Sequence, residues 1–242
     1  MLKTQTIVPA LRVNNRNITQ VFLEETLGMK IRLEDAAFGE FSAHGDKIIK
    51  LVLIESPSMR TRAVKRPKKL NRIVIKADSK EIEHLLATGS LFTKLYKGKN
   101  GYAFEAISPE GDRFLLHGEE NVCELQEILP PVAFEKLADG RGLSRFTIED
   151  IAINTPDMEA SQTFYSQVLP EQPDLSFVEA QGPDLLVAPD STWDLDSIRF
   201  SVAGDFNWAE LESKLAQPFF KDKKGRFIQA MDPSKIELWF EK

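Results

Sequence analysis

The chain has 242 residues, of which 42% are hydrophobic and 28% charged, with a formal net charge of −6; that is enough for one large domain or two ordinary ones. No apolar run approaches the ~20 residues a membrane-crossing helix requires, and MLKTQTIVPALRVNN has no uninterrupted hydrophobic segment ahead of a small-residue cleavage site, so neither a span nor a signal peptide is expected. Cys123 is the single cysteine, which excludes an intrachain disulfide and suits the cytoplasm.

Charge is unevenly shared. Residues 1–130 carry 20 basic and 17 acidic side chains, and residues 131–242 carry 11 and 20. Halves of opposite sign can attract one another across an interface.

In chain order, residues 6–13 read as a strand and 16–27 as a helix behind Asn15, with Gly28 just past its end. Residues 29–33 and 38–43 suit two strands, and KIIKLVLIE (47–55) a third, strongly β-branched one. Residues 56–69 form a connector with two prolines and the basic run Arg60, Arg62, Lys65, Arg66, Lys68 and Lys69. The run has no interleaved aromatics in an acidic chain, so it reads as a solvated loop and no nucleic-acid partner is expected.

A second unit follows: a strand at 70–77, a helix at 80–88, and strands at 91–97, 102–107 and 112–117. A short helix is expected at 122–128. Pro130-Pro131 and Asp139-Gly140-Arg141-Gly142 then mark a boundary. The division is an N-terminal domain 1–125, a linker 126–145 and a C-terminal domain 146–242.

FTIEDIAINTPDMEASQTFYSQVLP (146–170) opens the second half as the first half opens. Ile148, Ile151 and Ile153 mark a half-buried strand and Asp157 caps the next helix. Ala160, Phe164 and Val168 form an apolar stripe with Tyr165 and Leu169 beside it, and Pro170 ends the helix. Laid over residues 11–28 without a gap, Leu11 falls on Ile153, Asn15 on Asp157, Phe22 on Phe164 and Leu27 on Leu169, the mark of a duplicated unit. Strands are expected at 175–180 and 184–188. A fourth unit has a strand from Leu195, a helix at 208–216 and strands within 226–240; its IQAMDP (228–233) aligns with FEAISP (104–109).

Four βαβββ units, a Phe or Phe-Tyr in the first helix and the ending DPSKIELWF resemble the vicinal oxygen chelate superfamily of glyoxalases, bleomycin-resistance proteins and extradiol dioxygenases. The resemblance implies an α+β fold of two glyoxalase-like domains, each pair of consecutive units curling into an eight-stranded cup. As a two-domain whole, the chain is similar to the CppA family, described as candidate proteinases that degrade the third component of complement. That likeness implies complement as a partner and a surface or secreted location reached by a non-classical route.

The superfamily's metal-ligand positions fall here on Val8, Arg72 and Leu115, with Glu55 in the remaining strand, and on Asp150, Ser197 and Glu237. One carboxylate cannot hold a divalent ion, so the first set is expected to be metal-free. Asp150 and Glu237 could together hold a hard cation with waters, or be ordinary polar strand residues. No cofactor is expected, with a divalent metal at Asp150 and Glu237 as the alternative.

A proteinase needs an activated nucleophile, a carboxylate pair or a metal-bound water. His44, His84 and His117 are the only histidines, and Cys123 with His117 is the only Cys-His combination close in sequence. A free cysteine in such a place more often packs than reacts. Asp150 and Glu237 are conceivable as an acid dyad. The residues favour a binding protein whose cups hold a small molecule or a protein partner among aromatics such as Tyr165, Phe200 and Trp239, with a metal-dependent enzyme as the alternative. Exposed strand edges leave a homodimer open.

Overall fold

The structure is a computed structural model and describes residues 4–57, 60–170, 174–215 and 218–242. Each of the four α-helices in these residues starts from the same device. Asn15 precedes α1 (Arg16–Val21), Asp78 precedes α2 (Ser79–Thr88), Asp157 precedes α3 (Met158–Val168) and Asn207 precedes α4 (Trp208–Lys214). Their side-chain oxygens accept from Ile18 N at 3.1 Å, Lys80 N at 2.8 Å, Ala160 N at 2.9 Å and Glu210 N at 3.2 Å, satisfying first-turn donors that lack helical partners. The expected caps and the repeat are therefore real. α1 continues as a π-helical turn over Phe22–Thr26.

The strands are β1 (Thr4–Val13), β2 (Lys30–Asp35), β3 (Phe38–Ser42), β4 (Leu51–Glu55), β5 (Leu70–Ala77), β6 (Lys94–Lys97), β7 (Tyr102–Ile107), β8 (Arg113–His117), β9 (Gln126–Ile128), β10 (Phe146–Thr155), β11 (Leu175–Glu179), β12 (Leu195–Val202), β13 (Phe220–Lys221), β14 (Phe227–Met231) and β15 (Glu237–Glu241). They form two sheets, β13-β14-β15-β12-β1-β4-β3-β2 and β11-β10-β5-β8-β7-β6-β9. The fold is α+β, with two glyoxalase-like sheets, but consecutive units do not share a sheet. Unit one pairs with unit four through antiparallel β1 and β12, and unit two with unit three through antiparallel β5 and β10. The expected pairing of neighbours is corrected because strand partners follow buried faces, which sequence order does not dictate.

Three local expectations also change. Residues 122–128 form a 3-10 turn (Val122–Glu124) and then β9, which pairs with the otherwise open edge of β6. Residues 184–188 are not a strand: Asp184 is drawn down onto Arg62, with both carboxylate oxygens at 2.6 and 2.7 Å. Unit three is thereby abbreviated, and β11 lies parallel to β10 in the slot that β4 fills beside β1. In α3 the buried stripe is Ser161, Tyr165 and Val168, one residue round from the expected Ala160 and Phe164. Ser161 tolerates burial because its hydroxyl lies 2.9 Å from that of Thr155.

One continuous core draws on the helix-bearing faces of both sheets. Phe200 stacks on Phe240 at 5.2 Å in the first, and Phe22 crosses to Phe114 at 5.8 Å, joining unit one to unit two. Gly28, at φ +65°, lets the backbone turn where a side chain would strike Leu85 and the Leu143 amide.

The basic connector is not a uniformly solvated loop. Lys68 and Lys69 are 3% and 2% exposed. The Lys68 ammonium pairs with the buried Asp112 carboxylate, and Lys69 Nζ donates to the carbonyls of Val187 and Lys235, both at 2.8 Å. The amides of Lys69 and Leu70 donate to Asp194 at 2.6 and 3.1 Å. Partners so far away along the chain are invisible to a composition reading.

Removing one member of a buried pair strands the other charge. Lys68→Ala should cost about 3–5 kcal/mol in urea unfolding, whereas Lys68→Met combined with Asp112→Leu should cost far less. Equal losses would show that Lys68 and Asp112 do not act as a pair.

Candidate functional site

Alternation along three adjacent strands builds an open face on the first sheet, away from the helices. Ile7, Ile198, Phe200, Leu238 and Phe240 are buried in the core. Their neighbours Val8, Ser197, Arg199, Glu237, Trp239 and Glu241 therefore project to the other side. Register aligns them in rows: Val8 opposite Arg199 and Arg199 opposite Trp239; Ala10 opposite Ser197 and Ser197 opposite Glu237; Ser201 opposite Glu241.

This face holds a cavity of about 280 Å³. Val8, Val52, Ile48 and Ile49 form its apolar wall, and Thr6, Glu40, Arg199, Ser201 and Glu241 its polar one. Val8, Ala10 and Val52, with Ile49 and Ile54 against them, make a small apolar cluster separate from the main core. Ile48 and Ile49 reach the cavity because residues 47–50, expected as strand, precede β4 as irregular chain. Arg199 Nε is buried without a hydrogen-bond partner. A buried donor left this way costs about 1–3 kcal/mol. Beside the cavity Phe220, Phe227 and Trp239 form an aromatic row with centroid spacings of 5.8 and 5.2 Å, and Trp239 Nε1 donates to Glu237 at 3.1 Å.

Of the three aromatics expected in a cup, only Trp239 lies on this face. Phe200 is fully buried on the core side, one residue out of phase with Arg199. Tyr165 is buried in α3 and its hydroxyl donates to Asp232 at 3.0 Å. Arg199, Glu40 and Glu241 were missed; the available signal was an arginine between Ile198 and Phe200, in phase with Ser197 and Ser201 on the polar side of the strand.

Asp150 and Glu237 are on different sheets, β10 in the second and β15 in the first. Asp150 accepts from Ser176 Oγ at 2.8 Å, and burial raises its pKa against the opposing charge of Arg72. The joint metal site expected of them gains no support from this arrangement, since the two carboxylates stand on strands of separate sheets. At the superfamily positions the first sheet offers Val8, Ser197, Glu237 and Glu55, the last already accepting from Arg16 N at 3.0 Å. The second offers Arg72, Leu115 and Asp150, with a cation where a ligand should be. Neither donor set fits a divalent ion. Among the described residues no group of three or more His, Cys, Asp or Glu is placed to hold a metal.

Cys123 is exposed, but His117 is fully buried and turned elsewhere. Its Nδ1 accepts from Glu119 N at 3.2 Å, so the neutral ring carries its proton on Nε2, which lies 3.1 Å from Glu149. Burial lowers its pKa. A larger cavity of about 500 Å³ lies where β1 and β10 begin, lined in part by Lys50, Glu149 and Asp174. Its Glu149 is already engaged by Lys76 and His117.

Under the sheets, Asp232 is buried with Tyr165 Oη on one carboxylate oxygen and Ile236 N at 2.7 Å on the other. Burial pushes its pKa up to about 6, with Lys69 opposing.

The family model for CppA N-terminal matches residues 6–128 and that for CppA C-terminal matches residues 143–240. The cppA protein from Streptococcus pneumoniae TIGR4 is 38% identical, with a TM-score of 0.88 over 99% of this chain and 98% of that one. A putative dioxygenase from Bacillus subtilis shares the fold at 10% identity, TM-score 0.59, over 100% of this chain and 86% of its own. Glyoxalase I from Zea mays does so at 12% identity, TM-score 0.57, over 99% and 92%. No curated protein sequence matches. The chain belongs to the CppA family.

The raised pKa of Asp232 carries a sign. An aspartate titrating near 3.9 when unfolded and about 6 when folded contributes stability that is full below pH 4 and falls as pH rises to 6, by about 3 kcal/mol. Asp232→Asn should flatten urea-derived stability between pH 4 and 6 and stabilise the protein relative to wild type above pH 6. An unchanged slope would show that Asp232 titrates normally.

Proposed function

We propose that this CppA-family chain works by binding, holding a small molecule on the open face built by β1, β4, β12 and β15. The observation that carries the reading is Arg199, whose buried Nε lacks a hydrogen-bond partner beside an apolar-walled cavity. Its exposed rim and aromatic row suit a ligand with both polar and apolar parts. The alternative of a metal-dependent enzyme through Asp150 and Glu237 has no support from their placement on separate sheets.

The family likeness also raises cleavage of the third component of complement. The one Cys-His combination suggested by sequence gives that reading no support, because His117 is buried between Glu119 and Glu149.

Two measurements test the proposal. Anilinonaphthalene sulfonate, an amphipathic fluorophore, should bind saturably at one site, and Ser201→Trp at the cavity wall should abolish that signal while leaving thermal unfolding unchanged. Fluorophore binding that survives Ser201→Trp would place the ligand elsewhere. Repurified protein incubated with the complement component should leave it intact; cleavage lost in Glu237→Ala would replace binding by proteolysis.

A further inference from the structure

The open face carries more than one kind of recognition group, and these groups restrict what fits. Among the described residues the side chains of Arg199, Glu40 and Glu241 have no hydrogen bond or ion pair to the protein. All three line the same cavity of about 280 Å³. On the same sheet Arg12 pairs with Asp196 at 2.7 Å and Glu34 with Arg16 of α1 at 2.5 Å, while Lys30 and Asp35 stand exposed on β2. The cavity therefore gathers one cation and two anions that the protein itself does not pair.

We propose that the cavity binds a free α-amino acid with an aliphatic side chain, its carboxylate on Arg199, its ammonium on Glu40 and Glu241, and its side chain on Val8, Val52, Ile48 and Ile49. This rests on the binding reading above and narrows it to a ligand class.

The chemistry of each part follows from the residue that meets it. A guanidinium presents a planar fork of donors that a carboxylate can fill with two parallel hydrogen bonds. Glu40 stands opposite Val52 across β3 and β4, and Glu241 opposite Ser201 across β15 and β12. β3 and β15 are separated in the sheet order by β4, β1 and β12, so the two carboxylates face the cavity from opposite walls, and an ammonium, which has three donors and no acceptor, can be met by either. A purely anionic ligand would satisfy Arg199 but meet two carboxylates. A purely cationic one would leave Arg199 unpaired. A zwitterion answers both, and the branched wall selects an aliphatic side chain by contact area.

Calorimetric titration of the full chain separates these possibilities with three probes of nearly equal shape: L-leucine, isocaproate, which lacks the amine, and isopentylamine, which lacks the carboxylate. L-leucine should bind at one site, and each truncated probe should bind weaker by roughly tenfold or more, because each leaves a cavity group unpaired. Arg199→Met should weaken L-leucine to the level of isopentylamine without weakening isopentylamine itself. Glu40→Gln with Glu241→Gln should weaken L-leucine and isopentylamine while sparing isocaproate, with unchanged thermal unfolding as the check on folding. Isocaproate binding as tightly as L-leucine would overturn the assignment in favour of a simple anion site. Absence of all three, with the fluorophore still bound and blocked by Ser201→Trp, would discard the amino acid and keep the cavity as a binding site. Absence of the fluorophore as well would discard both.

Discussion

The antiparallel pairing of β1 with β12 is the constraint from which the rest of the structure follows. It joins unit one to unit four, so the closure entropy of most of the polypeptide is offset by one strand interface and the core behind it. Its register places Val8 opposite Arg199 with Ile7 and Phe200 on the buried side. Since side chains alternate, a slip of one residue would bury Arg199 and expose Phe200. β5 and β10 repeat the arrangement in the second sheet. Each sheet is therefore completed only when both halves of the chain are present.

Charge reinforces this exchange of units. Arg12 with Asp196, Arg62 with Asp184 and Lys76 with Glu149 all join the basic first half to the acidic second. Arg62 holds the Asp184 carboxyl down to about 2, and the buried Lys69 is itself pushed down by desolvation. The connector between units one and two is thus a fastening, threaded past turns of units two and four. Of its basic residues, Arg62, Lys68 and Lys69 have internal partners, while Lys65 and Arg66 are exposed.

The common fold and the particular chemistry separate on the open face. Glyoxalase I from Zea mays and the putative dioxygenase from Bacillus subtilis share the architecture at 12% and 10% identity, a level that speaks for backbone arrangement alone. Here the positions where the resemblance implies ligands hold Val8 and Ser197, and the charged groups lining the cavity are Arg199, Glu40 and Glu241. A shared backbone arrangement brings no activity with it, because function lives in side chains grafted on a scaffold.

Much of the architecture was legible in residues close together. Asn15 and Asp157 announce their helices because a cap needs only its own first turn, and Asp78 and Asn207 act in the same way in the structure. β5 and β7 fall where pattern placed them, since period-two burial is a local property. What failed was non-local. Residues 184–188 looked like a strand until Arg62 claimed Asp184, and Lys68 and Lys69 looked solvated until Asp112, Val187 and Lys235 closed over them. The candidate site was half legible: Trp239 could be assigned to a face by alternation, but Phe200 was placed on the wrong one, and Asp150 and Glu237 were joined across sheets that do not share strands. By itself the sequence determined the repeat, the helix starts and the alternation of each strand, because these depend on contacts within a few residues. Only the tertiary structure decided which units pair, and hence that Arg199 and Glu241 share a cavity with Glu40, because sheet partners are chosen by burial between segments that sequence order does not relate.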